Sequence, residues 1–223
     1  MIPLKDDNPA RRIPWVNLLL IATNLGVFGY QFFYLPKGST YLIKTFGVVP
    51  HALFGSNDIG TVPLTLFSAM FIHAGWLHLL GNMLYLWIFG DNVEDRLGHG
   101  RYLVFYLACG VIAAVVHAII FSRSKVPCVG ASGAISGVLA AYLLFFPKAR
   151  VTTLFIVFIF FRIVRLPAMV LLGLWIALQV VSGISELSAR AGGVAWFAHL
   201  GGFAAGAILA LTMRPQHRRG SAH

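Results

Sequence analysis

Apolar residues run along this chain in long blocks, near residues 14–34, 77–90, 101–121, 132–147, 166–185 and 195–213, parted by short polar or glycine- and proline-bearing breaks. Crossing a hydrocarbon layer about 30 Å thick takes about 20 residues of helix, so each block reads as a membrane helix, the second with an approach from Pro63. The pattern predicts an all-α, polytopic bundle of six transmembrane helices over residues 14–213, with short tails at 1–13 and 214–223. Leu35–Gly75 is a long connection broken by Pro36, Gly38, Pro50, Gly55, Gly60 and Pro63, and its mixed polar and apolar stretches predict partly buried interfacial helices. Val151–Arg165 is apolar and rich in β-branched residues but only about 15 residues long, ending in Arg162 and Arg165. A seventh span there would reverse the C-terminus, so it reads as an inner-face segment lying against the bundle.

Composition agrees with a membrane solvent: 58% of the residues are hydrophobic and 11% charged, against about 25% charged in soluble domains. The net charge of +10 raises nucleic acid as a partner, until the cations are sorted by side. With the N-terminus inside, Lys5, Arg11, Arg12, Arg96, Arg101, Lys148, Arg150, Arg162, Arg165, Arg214, Arg218 and Arg219 fall on the inner face. Lys37, Lys44, Arg123, Lys125 and Arg190 fall outside. Twelve against five satisfies the positive-inside rule and predicts both termini in the cytoplasm, so the charge reads as topology and the partner as the bilayer. Asp6 and Asp7 before the first block make it a retained span in place of a cleaved leader. Two cysteines, Cys109 and Cys128, do not form a disulfide framework.

Topology then gathers the polar residues. The second, fourth and sixth spans all start at the outer face, and His78, Asn82, Ser132 and His199 each sit near such a start. Ser132 to Phe146 is 15 residues, about 22 Å of helix, so Ser132 lies below the outer boundary. The loop Ser122–Ala131 must then dip inward over a water-filled cavity, because bare backbone is not tolerated against lipid. Ser132, Gly133, Ser136, Gly137, Ala140 and Ala141 draw a stripe of small side chains down the fourth span, and His199, Gly202 and Gly206 share a face of the sixth. These spacings predict close contact between the two helices.

A serine hydroxyl becomes a nucleophile when a base removes its proton, and imidazole suits that near neutral pH. Ser132 and His199 are therefore the candidate pair. The start of a helix presents free backbone N–H groups and the positive dipole end. His78 and Asn82, at i and i+4, can add side-chain donors for a developing oxyanion. All seven acids, Asp6, Asp7, Asp58, Asp91, Glu94, Asp95 and Glu186, fall in tails, loops or span ends. That excludes an intramembrane aspartyl pair, and the His-Glu-x-x-His metalloprotease signature is absent as well.

These residues resemble the rhomboid family of intramembrane serine proteases. The likeness rests on Gly130-Ala-Ser132-Gly133, on Ala198-His199-x-x-Gly202-x-x-x-Gly206, and on His73-x4-His78-x3-Asn82, and it runs over nearly the whole chain. The resemblance implies Ser132 as nucleophile and His199 as general base, then acid. It implies an oxyanion hole from His78, Asn82 and the Ser132 backbone N–H, with His73, Gly130, Gly133, Ser136, Gly202 and Gly206 around them. It also implies transmembrane protein substrates, cleaved near the outer face of a bacterial cytoplasmic membrane, with no cofactor and no metal. Two positions depart from the family: Leu35–Gly75 has no Trp-Arg pair, and Ser136 stands where some members place an aromatic residue that stacks on the histidine. The residues do not say what braces His199.

Two other functions use the same residues. A metal or proton transporter could employ His73, His78, His117 and His199 but lacks the carboxylates such paths recruit. An inactive client-binding relative would not need Ser132 and His199 together. Ser136 is expected to serve packing or to bond the base, and His73 to hold the outer loop.

Overall fold

A computed structural model describes residues 1–35, 38–55, 62–157, 160–189 and 194–213; the expected tail at 214–223 lies outside them. The elements in chain order are β1 (Ile2–Asp6), α1 (Trp15–Phe33), α2 (Gly38–Phe46), α3 (Pro50–Gly55), α4 (Val62–Ser68), a 3₁₀ turn (Ala69–Phe71), α5 (Trp76–Leu97), α6 (His99–Ile120), α7 (Ser132–Phe145), β2 (Arg150–Val157), β3 (Phe160–Pro167), α8 (Ala168–Ala189) and α9 (Trp196–Thr212). Among the described residues three helices, Trp15–Phe33, His99–Ile120 and Ala168–Leu187, have the length and apolar character to cross a membrane. The pair Pro63–Phe71 and Trp76–Leu97 passes the same test together, bent by 88°. Ser132–Phe145 and Trp196–Thr212 are shorter apolar helices. This is a multi-pass membrane protein.

The middle of the bundle is α7, whose buried run extends unbroken from Gly133 to Tyr142. Its small side chains let α9 approach backbone to backbone: a Cβ on Gly202 would meet the Gly133 carbonyl, and one on Gly206 would meet Gly137. Ala113 of α6 closes the third side against Gly133, and Cys109 of the same helix abuts Gly137. No large side chain fits there, so sequence pattern becomes interhelical distance directly.

α1 docks by polar contacts. Asn17, Asn24 and Gln31 recur every seven residues on its inward face and are buried. The Asn17 amide donates to the Leu86 carbonyl at 3.0 Å and accepts from the Tyr102 hydroxyl at 2.8 Å. At its start α1 has no capping side chain of its own. The carboxylate of Glu94, 1% exposed, accepts the backbone N–H of Val16 at 3.0 Å and of Asn17 at 2.6 Å. A helix N-terminus leaves such donors unpaired, and α5 supplies the cap from 77 residues away along the chain.

The expectation of an all-α fold is corrected by a three-stranded antiparallel sheet in the order β1-β2-β3. Arg150–Val157 pairs with Phe160–Pro167 in a hairpin, and Ile2–Asp6, expected within a tail, pairs with β2. Val151–Arg165 is thus the greater part of a hairpin: Val151 and Thr153 turn inward, while Phe160–Arg165 of β3 is exposed. The physical reason is an eight-residue, β-branched run, Arg150–Val157, whose side chains suit a pleated strand once partners lie on both sides of it. Leu35–Gly75 carries the helices α2, α3 and α4 among its described residues, as expected for an interfacial connection.

Candidate active site

Ser132 opens α7, His199 lies in the first turns of α9, and His78 in the first turn of α5, so three helix starts share one end of the bundle. The Ser132 hydroxyl lies 2.8 Å from His199 Nε2. His199 Nδ1 lies 2.7 Å from Oε1 of Gln179 on α8. The imidazole is thus held on both nitrogens, with Trp175 tilted at 34° and Trp196 perpendicular to it, each 6.1 Å away between ring centres. The brace is an amide with two indoles. Gln179 was passed over in the sequence, although an amide inside the apolar run Ala168–Val181 is the kind of intramembrane polar residue that marks function.

Ser136 takes neither histidine nitrogen. Its hydroxyl donates to the Ser132 carbonyl at 2.7 Å, a bond back along the same helix. The oxyanion candidates gather around Gly130. A Cβ at this glycine would fall 2.6 Å from Nε2 of His78 and 3.7 Å from Nδ2 of Asn82, and its φ of +120° suits a residue without a side chain. The Ala74 N–H points at His78 Nδ1 at 3.5 Å, a long contact that favours the proton on Nε2, the nitrogen facing Gly130. Asn82 Nδ2 is buried and bonds no other group among the described residues, so one amide donor faces the serine loop. His73 sits behind this group: its ring is buried, 5.0 Å from that of His78, and its carbonyl accepts from Gln31 at 2.7 Å.

The loop before Ser132 is anchored at several points. Cys128 and Val48 exchange backbone hydrogen bonds at 2.8 and 3.0 Å, the His51 N–H reaches the Ser124 carbonyl at 2.9 Å, and the Gly130 N–H reaches Ala69 at 2.8 Å. Under it opens a cavity of about 810 Å³ bordered by Ser132, His199, His78, Asn82 and apolar side chains such as Tyr85 and Leu139. His117 and Glu186 also border it. Burial pushes the Cys128 thiol up to about 12, so a cysteine near the serine stays protonated and is a poor competing nucleophile. Among the described residues no three His, Cys, Asp or Glu side chains come together as a metal site requires.

Comparison with known proteins supplies the family: the Rhomboid domain matches residues 61–216. The chain belongs to the rhomboid family. The Rhomboid protease GluP of Bacillus subtilis is 36% identical over 105 residues, 47% of this chain and 19% of that protein. RHOMBOID-like protein 1 of Arabidopsis thaliana is 27% identical over 92% of this chain and 55% of its own length. The mitochondrial Rhomboid protein 1 of Saccharomyces cerevisiae is 27% identical over 85% of this chain and 50% of its own. The chain thus spans about half the length of the longer matches and a fifth of GluP. Rhomboids are known as intramembrane proteases, and this rhomboid carries its polar cluster where its helices begin.

Proposed function

We propose that this rhomboid is an intramembrane serine endopeptidase that cuts transmembrane segments of other membrane proteins near the outer face of a bacterial cytoplasmic membrane. In this reading six helices cross the bilayer, α5 with its bent approach counting as one, and both termini face the cytoplasm. The observation that carries it is the 2.8 Å contact of the Ser132 hydroxyl with His199 Nε2 above a cavity large enough for an unwound peptide.

The chemistry follows from the geometry. His199 Nε2 takes the hydroxyl proton as Ser132 Oγ bonds to the scissile carbonyl carbon. The carbonyl oxygen becomes an oxyanion, met by the backbone N–H of Ser132 at the start of α7, by Asn82 Nδ2 and by His78 Nε2–H. Preorganised donors of this kind stabilise the transition state by about 3–4 kcal/mol each. Collapse of the intermediate breaks the C–N bond, and the imidazolium returns its proton to the departing amine. A water, deprotonated by His199 in turn, attacks the acyl ester and frees Ser132. Among the described residues no carboxylate bonds His199; the neutral Gln179 amide occupies the place an acid holds in the Ser-His-Asp arrangement.

The test is cleavage of a reporter transmembrane substrate by purified wild type, Ser132→Ala and His199→Ala in lipid vesicles. Wild type should cut, and each variant should lose at least about 10³-fold in rate. Cleavage that survives Ser132→Ala would overturn the proposal.

A further inference from the structure

We infer that Gln179 is a positioning residue for His199, its side-chain carbonyl selecting the imidazole tautomer that leaves Nε2 free to take the Ser132 proton. The inference rests on the serine-protease reading and extends it to an element that bears none of the reacting groups.

A neutral imidazole carries one proton, and the two nitrogens compete for it. With Nδ1 2.7 Å from Gln179 Oε1, the proton on Nδ1 has an acceptor, and Nε2 is left as the acceptor for the Ser132 hydroxyl at 2.8 Å. With the amide turned so that Oε1 faces Nδ1, the reverse tautomer would set an N–H against the hydroxyl and leave Nδ1 facing another acceptor. Gln179 is 6% exposed and sits in an otherwise apolar stretch of α8, where an unpaired amide is costly; the imidazole is the partner that makes it tolerable. Trp175, one turn earlier on α8, and Trp196 on α9 border the same ring, so rotation about its Cβ–Cγ bond is restricted while the amide decides the proton. Both His199 and Ser132 belong to the tightly packed α7–α9 pair, whereas Gln179 comes from α8. Correct positioning of the base thus depends on α8 being in place.

An alternative role for Gln179 is glue between α8 and α9, and three substitutions separate the two. Gln179→Leu and Gln179→Met remove the acceptor at similar size; Gln179→Glu keeps it and adds charge. Rates are read as kcat and KM on a reporter substrate in vesicles, alongside Ser132 labelling by a fluorophosphonate, where an Oγ–P bond forms, fluoride leaves and His199 takes the hydroxyl proton. Thermal unfolding is followed in parallel. The expected result is a fall in kcat and labelling rate of roughly 10- to 100-fold for Leu and Met with KM within about twofold. Glu should recover most of the rate at pH 8, with the acid limb moved up by about a unit or more because a carboxylate favours the imidazolium.

If Leu or Met retains wild-type kcat, or if Glu is as impaired as Leu at every pH while folded, the positioning role is wrong. If Gln179→Leu does not fold, the comparison of Met with Glu decides. Wild type that takes up no fluorophosphonate at Ser132 overturns the protease reading itself. A labelled wild type with indifferent Gln179 variants overturns only the inference about Gln179.

Discussion

Gly202 of α9 lies against the carbonyl oxygen of Gly133 of α7, close enough that a methyl group on Gly202 has no room. Gly202 follows His199 by three residues and Gly133 adjoins Ser132, so the spacing of the base from the nucleophile depends on a contact between two glycines. Backbone cannot rotate out of the way as a side chain can, and overpacking of this sort costs about 1–3 kcal/mol. Gly202→Ala should lower the unfolding temperature and cut fluorophosphonate labelling by more than 10-fold in the molecules that remain folded. Gly173→Ala, where nothing lies within 4 Å of the added atom, is the control and should leave both unchanged.

The loop side of the site makes its own prediction. Gly130 holds φ at +120°, a conformation that L side chains rarely adopt, and a Cβ there would press on the His78 ring. Strain and displacement act together in Gly130→Ala. The rate should fall by about 10²-fold or more with the helical content intact, as judged by circular dichroism, because the donors around the oxyanion move while the bundle does not. A variant with wild-type kcat would show that the His78 face of Gly130 has no part in the reaction.

Asn82 supplies a sharper test, since it borders the cavity beside Ser132 and its Nδ2 bonds no other group among the described residues, so its removal breaks no contact within the bundle. Asn82→Ala should therefore lower kcat by about 10²–10³-fold while leaving stability level or slightly raised. Loss of activity through KM alone, or a marked loss of stability, would assign Asn82 to substrate binding or to helix packing.

The helix starts that meet at Ser132, His199 and His78 were legible because two independent regularities constrain them, apolar length and charge bias, and both act locally along the chain. Gln179 was not, for a physical reason: apolar periodicity finds a span but does not say which face of α8 turns toward α9. The sheet was hidden twice over. An eight-residue β-branched run reads equally as a short buried helix, and β2 pairs with Ile2–Asp6 from the other end of the sequence, a non-local pairing that no window can see. Glu94 looked like a charge at a span end; that its carboxylate closes the N-terminus of α1 follows only from the packing of α1 on α5.

That cap makes a stability prediction separate from chemistry. Glu94→Ala would strip acceptors from the Val16 and Asn17 N–H groups and from His99 Nδ1, which lies 2.5 Å from Oε1. Each buried donor left unmatched costs about 1–3 kcal/mol, so the variant should be destabilised by about 2–5 kcal/mol, measured as a lower denaturation midpoint in mixed micelles. Ser132 labelling per folded molecule should be unchanged, because Glu94 lies at the opposite end of α5 from His78. A labelling defect equal to that of Asn82→Ala would contradict this division of the helix.

The end of the bundle away from Ser132 also carries a pH-dependent element. Asp6 of β1 accepts the Tyr142 hydroxyl at 2.5 Å and the Asn92 amide at 3.1 Å, tying the sheet to α7 and α5. Burial raises its carboxyl above the ordinary value of 3.8, against the opposing effect of the Tyr142 hydrogen bond, with the Asp7 charge adding to the rise. A carboxyl raised in the folded state binds its proton more tightly there than in the unfolded chain, so folding is favoured at low pH. The contribution fades as pH climbs from about 4 through the raised value. Asp6→Asn keeps a side-chain acceptor for Tyr142 and removes the charge, and should flatten this slope. The expected record is a wild-type unfolding midpoint that falls between pH 4 and 6 while the Asn variant changes less, the two converging at the acid end. A variant as pH-dependent as wild type would place the titrating group elsewhere, with Asp91 beside Asn92 the next to be substituted.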